Sequence, residues 1–143
     1  MPVVIITKGL PGSGKSTWAK SMQAQFPGKY IRTNKDEIRA MLHHTYRTEA
    51  SEAMVAKTRN WLILEALAQG KDVIVDDTNL NPEYERTIRA LVVGKATVEI
   101  KDFTHISLEE CLERNKKRDR VVEEEVIRNM YERFMRDSSQ SID

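Results

Sequence analysis

A glycine-rich octapeptide directly behind a β-branched run constrains this chain more than any other segment. Val3-Val4-Ile5-Ile6 leads into Gly9-Leu10-Pro11-Gly12-Ser13-Gly14-Lys15-Ser16. This is a complete G-x-x-x-x-G-K-[ST] loop, entered from a strand and left into a helix, the context in which the pattern cradles phosphate. The glycines Gly12 and Gly14, with Ser13 between them, let successive backbone N–H groups turn inward onto phosphate oxygens. Lys15 is placed to reach the β- and γ-phosphates, and the Ser16 hydroxyl to bind Mg²⁺. The helix that starts near Lys15 adds the positive end of its dipole.

Strand, loop and helix are also the opening of a βαβ unit, and the rest of the chain keeps the alternation. β-Branched apolar runs predict strands at Val3–Lys8 and Asp72–Asp76, Tyr30–Thr33 reads as a short strand, and Ala96–Phe103 alternates like a strand with one face less buried. Helical spacing predicts helices at Lys15–Gln25, Lys35–His43, Glu52–Gln69 and from Pro82 to about Val93. Pro27-Gly28, Gly70 and Gly94 punctuate them. Ser107-Leu108-Glu109-Glu110 is a capping box opening a helix to about Arg118, and Glu123–Arg136 reads as the last helix. The expectation is a three-layer α/β fold: a mainly parallel sheet of about four strands, flanked by helices and topped by a helical lid. One domain over residues 1–137 accounts for the chain, with 138–143 a flexible tail. Trp18, Phe26, Trp61 and Phe134 read most simply as core or partial core.

Composition narrows the function classes. Lys and Arg number 23 against 22 Asp and Glu. That balance argues against coating long nucleic acid by charge alone, yet permits gripping one strand end. No apolar run approaches the ~20 residues of a membrane span, and no secretion leader is evident at residues 1–7. The lone Cys111, between Leu108 and Leu112, reads as a core filler, and its isolation fits a reducing cytoplasm.

Three further segments carry chemistry. Asn34-Lys35-Asp36-Glu37-Ile38-Arg39 follows the second strand, so Asp36 belongs at the ligand rim beyond the strands' carboxyl ends. A carboxylate there can take the proton of an attacking hydroxyl, and Arg39, one helical turn on, can hold an anionic group of the acceptor. An acidic helix start complementing the dipole, with a solvated arginine, is the ligand-free alternative. Val73-Ile74-Val75-Asp76-Asp77-Thr78-Asn79 ends an apolar strand in acid. Asp77 is a candidate for Mg²⁺ through water or for orienting Arg39, Asp76 is the more ambiguous of the pair, and Thr78 offers a hydroxyl to the acceptor. The same residues also favour capping turns. Arg114-Asn115-Lys116-Lys117-Arg118-Asp119-Arg120 places Arg114 and Arg118 four apart on one helix face. Most of such a run is solvated, but a lid cation closing on the γ-phosphate is the functional reading for Arg118 or Arg114.

With those residues placed, the chain resembles the kinase domain of phage-type 5′-polynucleotide kinases. The matching pieces are Gly12-Ser13-Gly14-Lys15-Ser16-Thr17-Trp18-Ala19, Asn34-Lys35-Asp36-Glu37 with Arg39, Asp77-Thr78-Asn79-Leu80-Asn81-Pro82-Glu83, and Arg114-Asn115 with Lys117-Arg118. The resemblance implies ATP-dependent phosphorylation of a 5′-hydroxyl on DNA or RNA, an end-repair reaction with a nucleoside 3′-phosphate as minimal acceptor. It implies that Lys15, Ser16 and Thr17 hold ATP phosphates and Mg²⁺, that Asp36 is the general base, and that Arg39 and Thr78 bind the acceptor's 3′-phosphate. Arg118 would act from the lid with Arg114 nearby. The setting implied is cytoplasmic, which for a phage-encoded member means the host cytoplasm. Lys35 and Ile38 stand where the phage pattern carries an arginine and an aromatic. No Asp-x-Asp phosphatase signature follows, so the chain reads as a free-standing kinase or one domain of a longer enzyme. The main rival is a phosphate-loop kinase of a small hydroxyl metabolite or antibiotic. A nucleotide switch fits less well, because Asn34-Lys35-Asp36-Glu37 fails the guanine-reading Asn-Lys-x-Asp at its fourth position. A non-catalytic nucleic-acid module would turn over no ATP.

Overall fold

The computed structural model describes residues 1–136, so the tail expected over 138–143 lies outside the described residues. Four strands, β1 (Val3–Lys8), β2 (Tyr30–Thr33), β3 (Asp72–Val75) and β4 (Thr97–Asp102), form one sheet in the order β2-β3-β1-β4. Every pairing is parallel, with Ile5 opposite Ile74 on one side and Glu99 on the other. The helices are α1 (Lys15–Gln25), α2 (Lys35–His43), α3 (Glu49–Ala68), α4 (Pro82–Val92), α5 (Leu108–Lys116) and α6 (Glu124–Phe134). None of the described helices is long and apolar enough to cross a membrane.

The two-residue period of a strand sorts β1 and β3 onto both faces of the sheet. Val4, Ile6, Val73 and Val75 pack with Ile63, Leu67, Ile88 and Val92 of α3 and α4. Ile5 and Ile74 point the other way, against Ala19 of α1. The sheet is thus covered on both sides, which is why its central strands read as unbroken apolar runs. A third cluster, Leu10 with Cys111, Leu112 and Ile127, seats α5 and α6 beside the phosphate loop.

Two aromatic expectations fail. Trp61 is 62% exposed and Phe26 45% exposed. Helix α3 turns Val55, Arg59, Ile63, Ala66 and Leu67 inward, and position 61 falls on the opposite face.

The connection from β1 runs to β2 at one side of the sheet, and that from β3 runs to β4 at the other. Opposite departures from adjacent strands open a crevice at their carboxyl ends, where ligands of such sheets bind. Asn79 stitches its walls together. Buried and held at φ 46°, its amide nitrogen donates to the Thr7 carbonyl at 2.9 Å. Gly9 N–H donates to the Thr78 carbonyl at 3.0 Å, and the Thr7 hydroxyl to the Asp77 carbonyl at 2.8 Å. Asparagine tolerates positive φ as few residues do. Asn79→Ala should therefore lower unfolding free energy by about 1–3 kcal/mol, since it strands a buried carbonyl in a conformation alanine resists. Urea denaturation measures it, and a change within error would show that the stitch contributes nothing.

Candidate active site

The phosphate loop adopts the conformation its glycines permit. Gly12 and Gly14 have φ of 87° and 103°. A Cβ on Gly12 would collide with the Cys111 carbonyl of α5, so glycine is required there by close approach as well as by φ. Side chains cap α2, α3, α4 and α5; α6 has no side-chain cap, and neither does α1, which begins at Gly14. Its first-turn N–H groups are left for an anion. Lys15 folds back to donate to the Leu10 carbonyl at 2.8 Å. Burial pulls its ammonium down to about 8, against the attraction of Asp76.

Asp76 and Asp77 have different partners. Asp76 is wholly buried, and its Oδ2 accepts from the Ser16 hydroxyl at 2.7 Å and from Arg32 Nε at 2.8 Å. Its Oδ1 has no hydrogen-bond partner. A hydroxyl beside an orphaned carboxylate oxygen fits Mg²⁺, which takes one or two protein oxygens and completes its shell with phosphate and water. Among the described residues no cluster of three or more His, Cys, Asp or Glu side chains could hold a metal alone. Asp77, favoured in sequence for the metal or for Arg39, accepts the Lys35 N–H on Oδ1 at 2.9 Å, and its buried Oδ2, like Asp76 Oδ1, has no hydrogen-bond partner. Burial raises its carboxyl above the usual range, opposed by Lys35 and by the buried Arg59.

Asp36 and Arg39 do come together, on α2. Arg39 Nη1 donates to Asp36 Oδ1 at 2.6 Å. Its Nε and Nη2 donate to the two carboxylate oxygens of Glu52 at 2.6 and 2.7 Å. Of the five guanidinium N–H donors, two stay available to an acceptor anion. Glu52, on α3, is a member that local motifs could not reveal, because only the packing of α2 on α3 brings it to Arg39.

The lid segment departs from the expected helix. Helix α5 ends at Lys116, so Arg118 lies in the turn beyond it and does not share a helix face with Arg114. Arg114 lies against the loop, its Nη1 3.2 Å from the Ser13 carbonyl while its Nε donates to Glu110. Buried Asn115 clasps Val122 from both sides, with Nδ2 to the carbonyl at 2.6 Å and Oδ1 from the N–H at 3.0 Å. The loop carrying Lys117, Arg118 and Arg120 is thereby closed at its base.

Two cavities meet across these residues. One, of about 650 Å³, is bordered by Gly12, Gly14, Thr17 and Trp18, with Arg114 and Lys117 opposite. The indole of Trp18, expected as core or partial core, is half-buried: it packs on the Ile5, Ala19 and Ile74 cluster and borders this cavity, its ring centroid 6.1 Å from that of Phe103. The other, of about 460 Å³, is bordered by Asp36, Arg39, Asp77 and Thr78. Lys15, Ser16 and Arg118 line both. The sequence-derived site residues therefore assemble into a donor side and an acceptor side that share one wall.

A parallel sheet, an uncapped phosphate loop and paired cavities with a carboxylate at the acceptor side define a phosphate-loop kinase domain, a phosphotransferase class that binds nucleoside triphosphates. Residues 4–136 match the model of the AAA_33 family, described as an AAA domain, and the chain belongs to that family. It is 33% identical over 137 residues to the L-seryl-tRNA(Sec) kinase of Methanococcus maripaludis, covering 92% of this chain and 52% of that protein. It is 28% identical over 149 residues to the putative bifunctional polynucleotide kinase/RNA ligase of Autographa californica nuclear polyhedrosis virus, covering 93% of this chain and 21% of that protein. Among solved structures, a chain of the Pnkp1/Rnl/Hen1 RNA repair complex superimposes with a TM-score of 0.82 at 22% identity, covering 97% of this chain and 46% of the other. The chain thus spans about half the length of the first of these relatives and a fifth of the second.

The lowered ammonium of Lys15 has a readable consequence. Bound phosphate favours the charged form, so ATP affinity should be full below about pH 8 and fall as pH rises through that value, by up to about tenfold per unit. Calorimetric titration between pH 7 and 10 measures the slope. Lys15→Met should bind weakly with no such slope, and the same slope in that variant would assign the titration to another group.

Proposed function

We propose that this domain transfers the γ-phosphoryl group of ATP to the 5′-hydroxyl end of DNA or RNA. The observation that carries the reading is the junction of the two cavities. Lys15, Ser16 and Arg118 stand where the transferring group must pass, and Asp36 lines the acceptor side. That side is rich in cations: Lys35, Arg39, Arg47 and Arg120 join Lys15 and Arg118 against Asp36, Asp76 and Asp77. Such a wall suits an acceptor bearing its own phosphate better than a neutral metabolite.

The residues then take the following parts. The loop N–H groups from Gly12 to Thr17 hold the triphosphate. Asp36, oriented by Arg39, accepts the proton of the 5′-hydroxyl as its oxygen attacks the γ-phosphorus in line. The bond from that phosphorus to the β–γ bridging oxygen breaks, and ADP leaves. Lys15 and Arg118 neutralise the charge that spreads over the transferring oxygens. Arg114, its Nη1 donating to the Ser13 carbonyl, holds the loop side of the donor. The two remaining N–H groups of Arg39 and the Thr78 hydroxyl hold the 3′-phosphate of the terminal nucleotide. The Ser16 hydroxyl and the unpartnered Oδ1 of Asp76 would hold Mg²⁺, which when bound would supply positive charge against the phosphate oxygens.

A second reading has its own support. The 33% identity to a kinase named for L-seryl-tRNA(Sec) favours an acceptor hydroxyl carried on an aminoacyl-tRNA. Both readings use the same base and the same cationic wall, and they differ in which end of the nucleic acid enters. Labelled-ATP transfer to a 5′-hydroxyl oligonucleotide, beside seryl-tRNA, separates them. Transfer to the seryl group alone would replace the first reading with the second.

Asp36→Asn should lower turnover by about 10²–10⁴-fold while leaving ATP affinity largely intact. Near-normal turnover would remove Asp36 from the role of base. Arg118→Ala should lower kcat more than it raises the acceptor KM. A nucleoside 3′-monophosphate should exceed the plain nucleoside in kcat/KM by roughly ten- to a hundredfold, the worth of a charge-assisted hydrogen bond. Arg39→Ala should erase most of that difference, and equal use of both acceptors by the unaltered enzyme would favour a small-metabolite kinase.

A further inference from the structure

A groove of about 450 Å³ runs off the acceptor cavity toward the end of α6. The two are continuous, since Thr78, Tyr84, Val126 and Met130 line both. Tyr84 stands at the junction, 41% exposed, with the Lys35 ammonium 4.3 Å from its ring centroid. Val126, Met130 and Phe134 recur every four residues, so one stripe of α6 forms the groove's apolar wall. At the far end the Arg133 guanidinium lies 5.0 Å from the Phe134 ring centroid. Asn81 and Asn129 add amides, and none of the lining residues is acidic.

Aromatic faces, a guanidinium and amides, with no carboxylate, are the surface that single-stranded nucleic acid takes: bases stack on rings while cations track the backbone. The volume lies within the range of small-ligand pockets. On that reading the acceptor cavity takes one nucleotide against Asp36 and Arg39, and the groove continues from Thr78 with no phosphate-loop residue in its lining. We propose that this groove is a subsite for the base of the second nucleotide of a single-stranded acceptor, stacked at Phe134 with Arg133 on its phosphate. The inference rests on the polynucleotide reading above and narrows its substrate class: strands of two or more unpaired nucleotides over mononucleotides and over flush duplex ends, whose paired second base could not enter.

The test compares three acceptors with free 5′-hydroxyls and 3′-phosphates: a mononucleotide, a dinucleotide, and a dinucleotide abasic at its second position. The dinucleotide should exceed the mononucleotide in kcat/KM by about five- to a hundredfold, the worth of one stacked base, and the abasic acceptor should fall back toward the mononucleotide. Phe134→Ala and Arg133→Ala should raise the dinucleotide KM and leave the mononucleotide unchanged, and Phe134→Trp should retain the preference. The abasic comparison needs no variant, so it stands even if Phe134→Ala does not fold. Equal use of the three acceptors by the unaltered enzyme overturns the subsite while leaving the polynucleotide reading in place. Failure to phosphorylate any of them overturns the reading itself and the subsite with it. A change in self-association of Phe134→Ala or Arg133→Ala on light scattering, with unchanged acceptor preference, would assign the groove to a second copy of the chain and overturn the proposal.

Discussion

The pairing of buried Asp76 with Ser16 and Arg32 is the interaction on which the site depends. A carboxylate with no solvent exposure must be compensated by charge and hydrogen bonds. Each compensating group comes from a different element: Ser16 from the first turn of α1, and Arg32 from β2. The Asp76 carbonyl also accepts from the Asn34 side chain at 2.8 Å, so the N-cap of α2 is tied to the same point. One acidic residue at the end of β3 therefore sets the phosphate loop, the edge strand and helix α2 relative to one another.

From that point a chain of ion pairs leads outward. Arg32 Nη1 donates to Glu37 at 2.8 Å, in the turn of α2 that presents Asp36. Asp36 meets Arg39, and Arg39 meets Glu52 at the start of α3. Each arginine is thus held between two carboxylates, Arg32 between Asp76 and Glu37 and Arg39 between Asp36 and Glu52. Stiffness of this kind suits phosphoryl transfer, in which the protein contributes positioning and a fixed field.

Much of the architecture was legible in the sequence, and the exceptions have physical causes. Strand β1 and helices α1 and α2 lie where periodicity and capping residues place them, because burial on both sheet faces leaves little ambiguity in a β-branched run. Helix α3 begins at Glu49, three residues before the sequence-based start, because its capping box uses Ser51 in place of the usual Glu or Gln. Helix α5 stops short because the run from Arg114 to Arg120 has no apolar period to mark an end. At the site, motif residues adjacent in sequence were visible. Glu52, Arg32 and Arg59 were not, since each acts only where tertiary packing brings it. The division of labour between Asp76 and Asp77 was hidden for the same reason: adjacent strand-end residues point to opposite sides, and spacing alone cannot say which side holds Ser16.

The contact between Gly12 and α5 and the clasp of Asn115 on Val122 bear on how such a domain can diversify. The backbone of the phosphate loop lies against that of α5 too closely to admit a side chain, so loop and helix form one unit. The clasp then closes the chain again only seven residues later. Everything between is an appendage whose length is set by neither neighbour. Lengthening or shortening the tip would alter the reach of its cations over the donor while leaving the phosphate loop undisturbed. Lineages of this architecture could therefore retune their lids by insertion and deletion, independently of the machinery that binds the nucleotide.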